Sequence, residues 1–123
     1  MVKVTLITGG NKGLGYETAK ELKAKGYKVY IGSRNEERGQ QASKELGVDY
    51  VQLDVSDDKS VQQAFETISN KEGRVDVLIN NAGISGGFAK VADFTAKDVE
   101  KVYNTNVFGI VRMMNTFIPL LEK

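Results

Sequence analysis

The stretch Thr8-Gly9-Gly10-Asn11-Lys12-Gly13-Leu14-Gly15 lies directly between an apolar run, Val2 to Thr8, and a segment whose apolar residues recur at helical spacing. A glycine-rich turn between a strand and a helix is the context a phosphate site needs, because a helix start presents unpaired backbone N–H groups and partial positive charge. In such a turn Gly9 permits the sharp bend, Gly13 lets backbone amides approach a pyrophosphate, and Gly15 lets the helix lie close to the sheet. Glycines serving only tight packing are the competing reading, and their spacing immediately after a strand argues against it.

Outward from this turn, apolar runs of strand length alternate with helical patterns, the order expected of successive βαβ units. The runs are Val2 to Thr8, Lys28 to Gly32, Tyr50 to Asp54 and Val75 to Asn80. Their near-continuous apolar character predicts strands covered on both faces, as in a parallel sheet. The first helix is expected from Gly13, with Leu14, Thr18 and Leu22 on its buried side, closing at Gly26. The second runs from after Asn35 to Gly47 with a thin buried side, mostly Ala42 and Leu46. The third follows the Ser56/Asp57 cap signal, buries Val61, Ala64, Phe65 and Ile68, and closes at Gly73. A last helix enters through Thr95 and Asp98 in a capping-box-like pair. It carries Val99, Val102, Tyr103, Val107, Ile110, Val111 and Met114 on one stripe and continues to about Leu121, with Pro119 kinking or ending it. Right-handed crossovers then give an α/β, Rossmann-type parallel sheet of strand order 3-2-1-4 with helices on both faces. The direction of winding reverses between strands 1 and 4, so Gly9 to Gly15 and Asn80 to Gly83 are expected to face one crevice.

Composition narrows the chemistry. The chain of 123 residues has room for one domain, 1–123, without repeat or linker. Seventeen Lys and Arg are interspersed with sixteen acids for a net charge of +1, so no basic stripe accumulates and no nucleic-acid partner is expected. Neither cysteine nor histidine is present, which removes disulfides, thiolate metal sites and Ser/His chemistry, and no metal is expected. The opening apolar run is too short for a signal peptide or a membrane span, so a cytoplasmic protein is expected.

Two separated motifs, Thr8-Gly9-x-x-x-Gly13-x-Gly15 and Asn80-Asn81-Ala82-Gly83, together resemble the short-chain dehydrogenase/reductase family. The resemblance runs over the whole chain, and the Gly-Gly-Asn-Lys-Gly-Leu-Gly form with Ser33-Arg34 is similar to its carbonyl-reductase-like members. It implies a nicotinamide dinucleotide cofactor, held by Gly9, Asn11, Lys12, Gly13, Leu14, Gly15, Ser33, Arg34, Asp54, Val55, Asn81, Ala82 and Gly83. Asp54-Val55 matches the family's adenine-contacting position, although Asp54 equally suits a cap for the next helix. Asn80 is open between scaffold and binding; Asn81 favours binding. Cofactor choice follows from charge. The second strand ends in Gly32-Ser33-Arg34 with no carboxylate, and Arg34 with Lys12 can meet a 2′-phosphate, so NADP(H) is expected over NAD(H). If both cations are ordinary surface charges, Glu36 or Glu37 becomes the candidate for the ribose.

Asn106, in Asn-x-x-Gly with Gly109, matches the asparagine of the family's catalytic tetrad, with a satisfied structural asparagine as the alternative. The family's serine and Tyr-x-x-x-Lys follow the helix after strand 4, where this chain is expected to be truncated. Only Tyr16 and Lys20 reproduce the spacing, and they belong to the first helix, where the family has no catalytic role for them. The reading is thus the NADP(H)-binding part of a short-chain oxidoreductase acting by carbonyl/alcohol hydride transfer, inactive without those residues. A naturally short, non-catalytic dinucleotide-binding or oligomerising module is the alternative. A flavodoxin-like domain shares the sheet logic but leaves the two motifs unexplained together. Strand 4 as an apolar sheet edge, and the last helix's apolar stripe, predict a homo-oligomer, as a dimer.

Overall fold

The computed structural model describes residues 2–82 and 96–121. Four strands, β1 (Val4–Thr8), β2 (Lys28–Ser33), β3 (Asp49–Gln52) and β4 (Val77–Ile79), form a parallel sheet of order β3-β2-β1-β4. The helices among the described residues are α1 (Gly13–Ala24), α2 (Glu36–Leu46), α3 (Asp58–Glu72), α4 (Ala96–Asn106) and α5 (Phe108–Leu121). The strand order and parallel pairing are those read from the sequence; β1 and β4 are shorter than expected by one to three residues, while β2 runs one residue further and β3 is shifted one to two residues towards the N-terminus.

Alternation along the strands explains why helices are needed on both faces. Val4 and Leu6 of β1, with Tyr30 and Val51, pack under α3 and α5 through Val61, Ala64, Ile68, Met113 and Phe117. Ile7, with Val29 and Ile31, points the other way and packs under α1 and α2 through Ala19 and Ala42. Successive strand side chains face opposite sides, so a strand apolar at every position requires two covers. Phe65 and Phe117 meet edge to face, centroids 5.6 Å apart, and tie α3 to α5.

Helix ends follow local chemistry. Asn35 caps α2 by accepting from Arg38 N–H at 2.9 Å, and Asp57 caps α3 by accepting from Lys59 N–H at 3.0 Å. Gly47 (φ 71°) and Gly73 (φ 73°) end the same helices in the left-handed region. Asp54 therefore does not cap α3; its carboxylate instead accepts from the backbone N–H and hydroxyl of Ser56, at 3.0 and 2.6 Å.

Two expected helix faces are corrected. On α1 Leu22 packs against the core as expected, but the buried residues are Gly15 and Ala19 and Leu14 is 75% exposed, because the helix is drawn against the sheet where it has least side chain. The expected last helix is broken at Val107 into α4 and α5, with Pro119 accommodated inside the end of α5. Near the break the Asn104 carbonyl accepts from Arg112 at 3.1 Å, and Gly109 seats α5 directly on Val55. The face of α5 turned to the core is Gly109, Met113, Phe117 and Leu120, and the expected residues Val107, Ile110, Val111 and Met114 are exposed. The Thr95/Asp98 capping pair and the side chains of Val99, Val102 and Tyr103 lie outside the described residues. Among the described residues no helix is long and apolar enough to cross a membrane.

Candidate functional site

At the carboxyl ends of the strands the β1–α1 turn is built by close approach. Gly9 has φ 66° and donates its N–H to the Gly32 carbonyl at 2.8 Å; a Cβ there would lie 2.9 Å from the Ala82 Cα. A Cβ on Gly15 would lie 2.5 Å from the Asn81 side-chain nitrogen and 2.6 Å from the Gly9 carbonyl. Gly13, at φ 59°, has nothing within 4 Å of where a Cβ would stand. Two glycines thus let chain segments touch, and the third leaves open space.

The second motif is joined to this turn by Thr8. Its buried hydroxyl oxygen accepts from the backbone N–H groups of Asn81 and Ala82, both at 2.9 Å, and Asn81 Nδ2 donates to the Gly9 carbonyl at 3.1 Å. The β1 and β4 ends are therefore one hydrogen-bonded unit. Asn80 stands apart: its amide nitrogen lies 3.9 Å from the Met114 sulfur, and its oxygen has no partner among the described residues.

A cleft of about 580 Å³ opens over this unit. It is lined by Gly9, Asn11, Lys12 and Gly13 from the turn, Ser33 and Arg34 from the end of β2, Asp54 and Val55 after β3, and Asn81 and Ala82 after β4. These expected residues, distant in sequence, come together. Leu14 and Gly15 do not line the cleft, since Leu14 faces solvent and Gly15 lies beneath the helix, and Gly83 is outside the described residues. Asn35, Arg38, Leu53 and Thr105 also line it and escaped the sequence reading. Arg38 was foreshadowed only by its place in the first turn of α2 after the Asn35 cap. Thr105, carried on the far helix, left no motif. Asn106 is the last residue of α4, half-buried and adjacent to Thr105 but not itself in the lining.

Cations outnumber acids in the cleft lining, with Lys12, Arg34 and Arg38 against Asp54. Lys12, Arg34 and Arg38 are exposed, and none of their side chains is ion-paired among the described residues. The start of α1 has no side-chain cap and no acid in its first turn, unlike α2 and α3. An uncapped helix start beside unpaired cations is a ready anion site. Glu36 and Glu37 are not in the lining. No cluster able to hold a metal occurs among the described residues.

Tyr16 and Lys20 gain nothing from the structure as a catalytic pair. The Tyr16 hydroxyl donates to Glu45 at 2.9 Å, and this bond holds its pKa above the ordinary phenol value, the opposite of what a proton donor near neutrality needs. Tyr30 and Tyr50 are likewise raised, in both cases chiefly by burial.

Residues 3–123 match the sequence profile of the short chain dehydrogenases. The chain belongs to this family. A short-chain dehydrogenase/reductase named tropE, from Talaromyces stipitatus, is 38% identical over 97% of the chain and 48% of its own length. Among solved structures, the 3-ketoacyl-(acyl-carrier-protein) reductase from Brucella melitensis complexed with NADH superposes with a TM-score of 0.91 at 32% identity, covering 96% of this chain and 50% of that one. The Pseudomonas aeruginosa RhlG/NADP active-site complex gives 0.91 at 27% identity, covering 97% and 48%. The solved structures compared thus include complexes with NADH and with NADP, and this chain spans about half the length of the relatives it matches.

Proposed function

We propose that residues 1–123 form the NADP(H)-preferring cofactor site of a short-chain oxidoreductase that transfers hydride between carbonyl and alcohol substrates. The observation that carries the cofactor preference is the trio of cations, Lys12, Arg34 and Arg38, without ion pairs among the described residues and lining a cleft whose β2 end bears no carboxylate. A 2′-phosphate meets such cations through charge-assisted bonds, where the ribose diol of NAD(H) usually meets an acid. The residues fit the group: the cleft volume of about 580 Å³ lies in the range of ligand sites. Gly13 leaves its mouth open, and the uncapped start of α1 suits a pyrophosphate.

When bound, the dinucleotide supplies or accepts the hydride. This chain's residues bind and orient it: the glycine turn and α1 amides hold the diphosphate, Leu53 and Val55 offer an apolar wall to the base, and Asn81 keeps the turn in shape through the Gly9 carbonyl. Leu14 and Gly15 contribute backbone rather than side chain. Asn106 takes the family's tetrad position. Because it is the sole tetrad residue within 1–123, these residues alone are expected to bind without turnover, which also keeps a non-catalytic binding module as the second reading. The same proposal includes a homodimer through the exposed face of α5 or the β4 edge.

The test is fluorescence titration with NADPH and NADH on the chain and on Arg34→Asp. NADPH should bind more tightly, and Arg34→Asp should weaken NADPH about 10- to 100-fold, the worth of one hydrogen-bonded charge pair, while sparing NADH. An unchanged preference rejects the 2′-phosphate assignment. A carbonyl-reduction assay following NADPH absorbance tests turnover separately.

A further inference from the structure

We infer that Arg112 is a positioning residue for the adenine end of the cleft, fastening the break between α4 and α5 to the loop that follows β3. The inference rests on the dinucleotide reading above and deepens it. Arg112, the fifth residue of α5, reaches across three chain segments. Its Nε donates to Asp58 Oδ1 at 2.7 Å, and its Nη1 donates to the Val55 carbonyl at 3.3 Å and the Asn104 carbonyl at 3.1 Å. Asp58 is the first residue of α3, Val55 lines the cleft, and Asn104 adjoins Thr105, which lines it too.

The chemistry of the break calls for such a group. The last carbonyls of a helix lack intrahelical partners and carry partial negative charge, so a cation that donates hydrogen bonds there satisfies both needs. A guanidinium is a rigid planar fork with several donors and serves two carbonyls and a carboxylate at once, which an ammonium on a flexible stem does not hold in one geometry. Its side chain is 23% exposed, against 86% for Asp58, so the carbonyl bonds are the better shielded part of the contact.

Gly109 supplies independent support. A Cβ there would lie 2.8 Å from Val55 Cγ2 and 3.2 Å from the Val55 carbonyl oxygen, so α5 rests directly on the residue whose carbonyl Arg112 holds. Val55 is thereby gripped from two positions of one helix, and Thr105 is carried by the helix end that the same guanidinium secures. Loss of the fork should loosen both lining residues together and leave the glycine turn, which hangs on Thr8 and Asn81, undisturbed.

The test compares the full chain with Arg112→Met, Arg112→Lys and Asp58→Asn by amide hydrogen exchange and by NMR titration with AMP and with nicotinamide mononucleotide. In Arg112→Met, exchange should speed up about tenfold at 53–56 and 105–108 and stay unchanged in β1 and β2. AMP affinity should fall about tenfold with nicotinamide mononucleotide unaffected. Arg112→Lys should behave nearly like Arg112→Met, and Asp58→Asn should show the same pattern more weakly, which preserves the comparison if Arg112→Met fails to fold. Unchanged exchange at either segment, or equal loss of both nucleotides, overturns the inference. If the unaltered chain binds neither nucleotide, the dinucleotide reading fails, and Arg112's role at this cleft fails with it even where exchange shows the clamp.

Discussion

Replacing Gly9, Gly13 and Gly26 separately by alanine distinguishes the roles that the glycine turn combines. All three have positive φ, at 66°, 59° and 91°, so each alanine incurs left-handed strain of about 1–2 kcal/mol. Only at Gly9 does the new methyl meet backbone, 2.9 Å from the Ala82 Cα and 3.2 Å from its nitrogen; at Gly13 and Gly26 it meets nothing within 4 Å. Ala82 cannot retreat easily, since its N–H is bound to Thr8 at 2.9 Å, so overpacking adds about 1–3 kcal/mol. Gly9→Ala should therefore lose roughly 2–5 kcal/mol, and the other two about 1–2 kcal/mol each. At about 3–5 °C per kcal/mol for a chain of this size, the melting temperature should drop by roughly 10 °C or more in Gly9→Ala and about 5 °C in the others. Urea and thermal unfolding followed by circular dichroism give these values. Binding separates the remaining pair: Gly13→Ala puts its methyl at the cleft lining and should weaken NADPH more than about tenfold, whereas Gly26→Ala, remote from the cleft, should not. Equal destabilisation by Gly9→Ala and Gly13→Ala, or unimpaired NADPH binding by Gly13→Ala, would refute the reasoning.

Thr8→Val keeps the shape of a buried side chain but removes the acceptor for two N–H groups, and should cost about 2–4 kcal/mol in urea unfolding, with Thr8→Ser recovering most of it. Tyr30 is held above its ordinary phenol pKa by burial and by its 2.6 Å bond to Glu72, with the charges of Glu72 and Asp49 adding to the effect and Lys28 lying over its ring. The folded state thus keeps this proton more tightly than the unfolded chain, so its stabilisation is intact below about pH 10 and is lost as pH rises beyond it. Urea midpoints measured from pH 8 to 11 should fall at the alkaline end, and less steeply in Tyr30→Phe; equal slopes would remove Tyr30 as the cause. The outward face of α5, including Phe108 at 55% and Val111 at 50% exposure, should drive self-association that Val111→Lys weakens. A monomer by light scattering at micromolar concentration in the unaltered chain would count against it.

Strand order, helix caps and the meeting of the two motifs were legible in the sequence because each depends on local chemistry. Asn35, Asp57, Gly47 and Gly73 act through their own backbone neighbourhood, and adjacent apolar residues such as Leu6 and Ile7 signal burial on both faces whichever elements cover them. The helix faces were misread for a shared reason. Hydrophobic spacing identifies the stripe with the most apolar side chain, but α1 and α5 dock where side chain is least, at Gly15 and Gly109. On α5 the ambiguity is deeper, since a helix apolar nearly all round carries two stripes and periodicity does not say which meets the core. Met113 and Phe117 win because the helix axis is fixed by the approach of Gly109 to Val55, a contact between segments far apart in sequence.

The same distinction runs through the cleft. Residues on the glycine turn and at the strand ends were found because the fold topology directs those points to one crevice. Thr8 stands in the turn motif, yet its part in joining β1 to β4 depends on two N–H groups more than seventy positions away. Arg38 reaches the cleft from the first turn of α2, and Thr105 from the end of α4. A residue that binds through its own segment leaves a motif; one that acts by fastening other segments, as Arg112 does between Asn104, Val55 and Asp58, leaves none. Substitutions at the first kind should therefore change which dinucleotide is held, as with Arg34. Substitutions at the second should weaken adenine nucleotides without regard to the 2′-phosphate, a difference the NADPH to NADH affinity ratio reads directly.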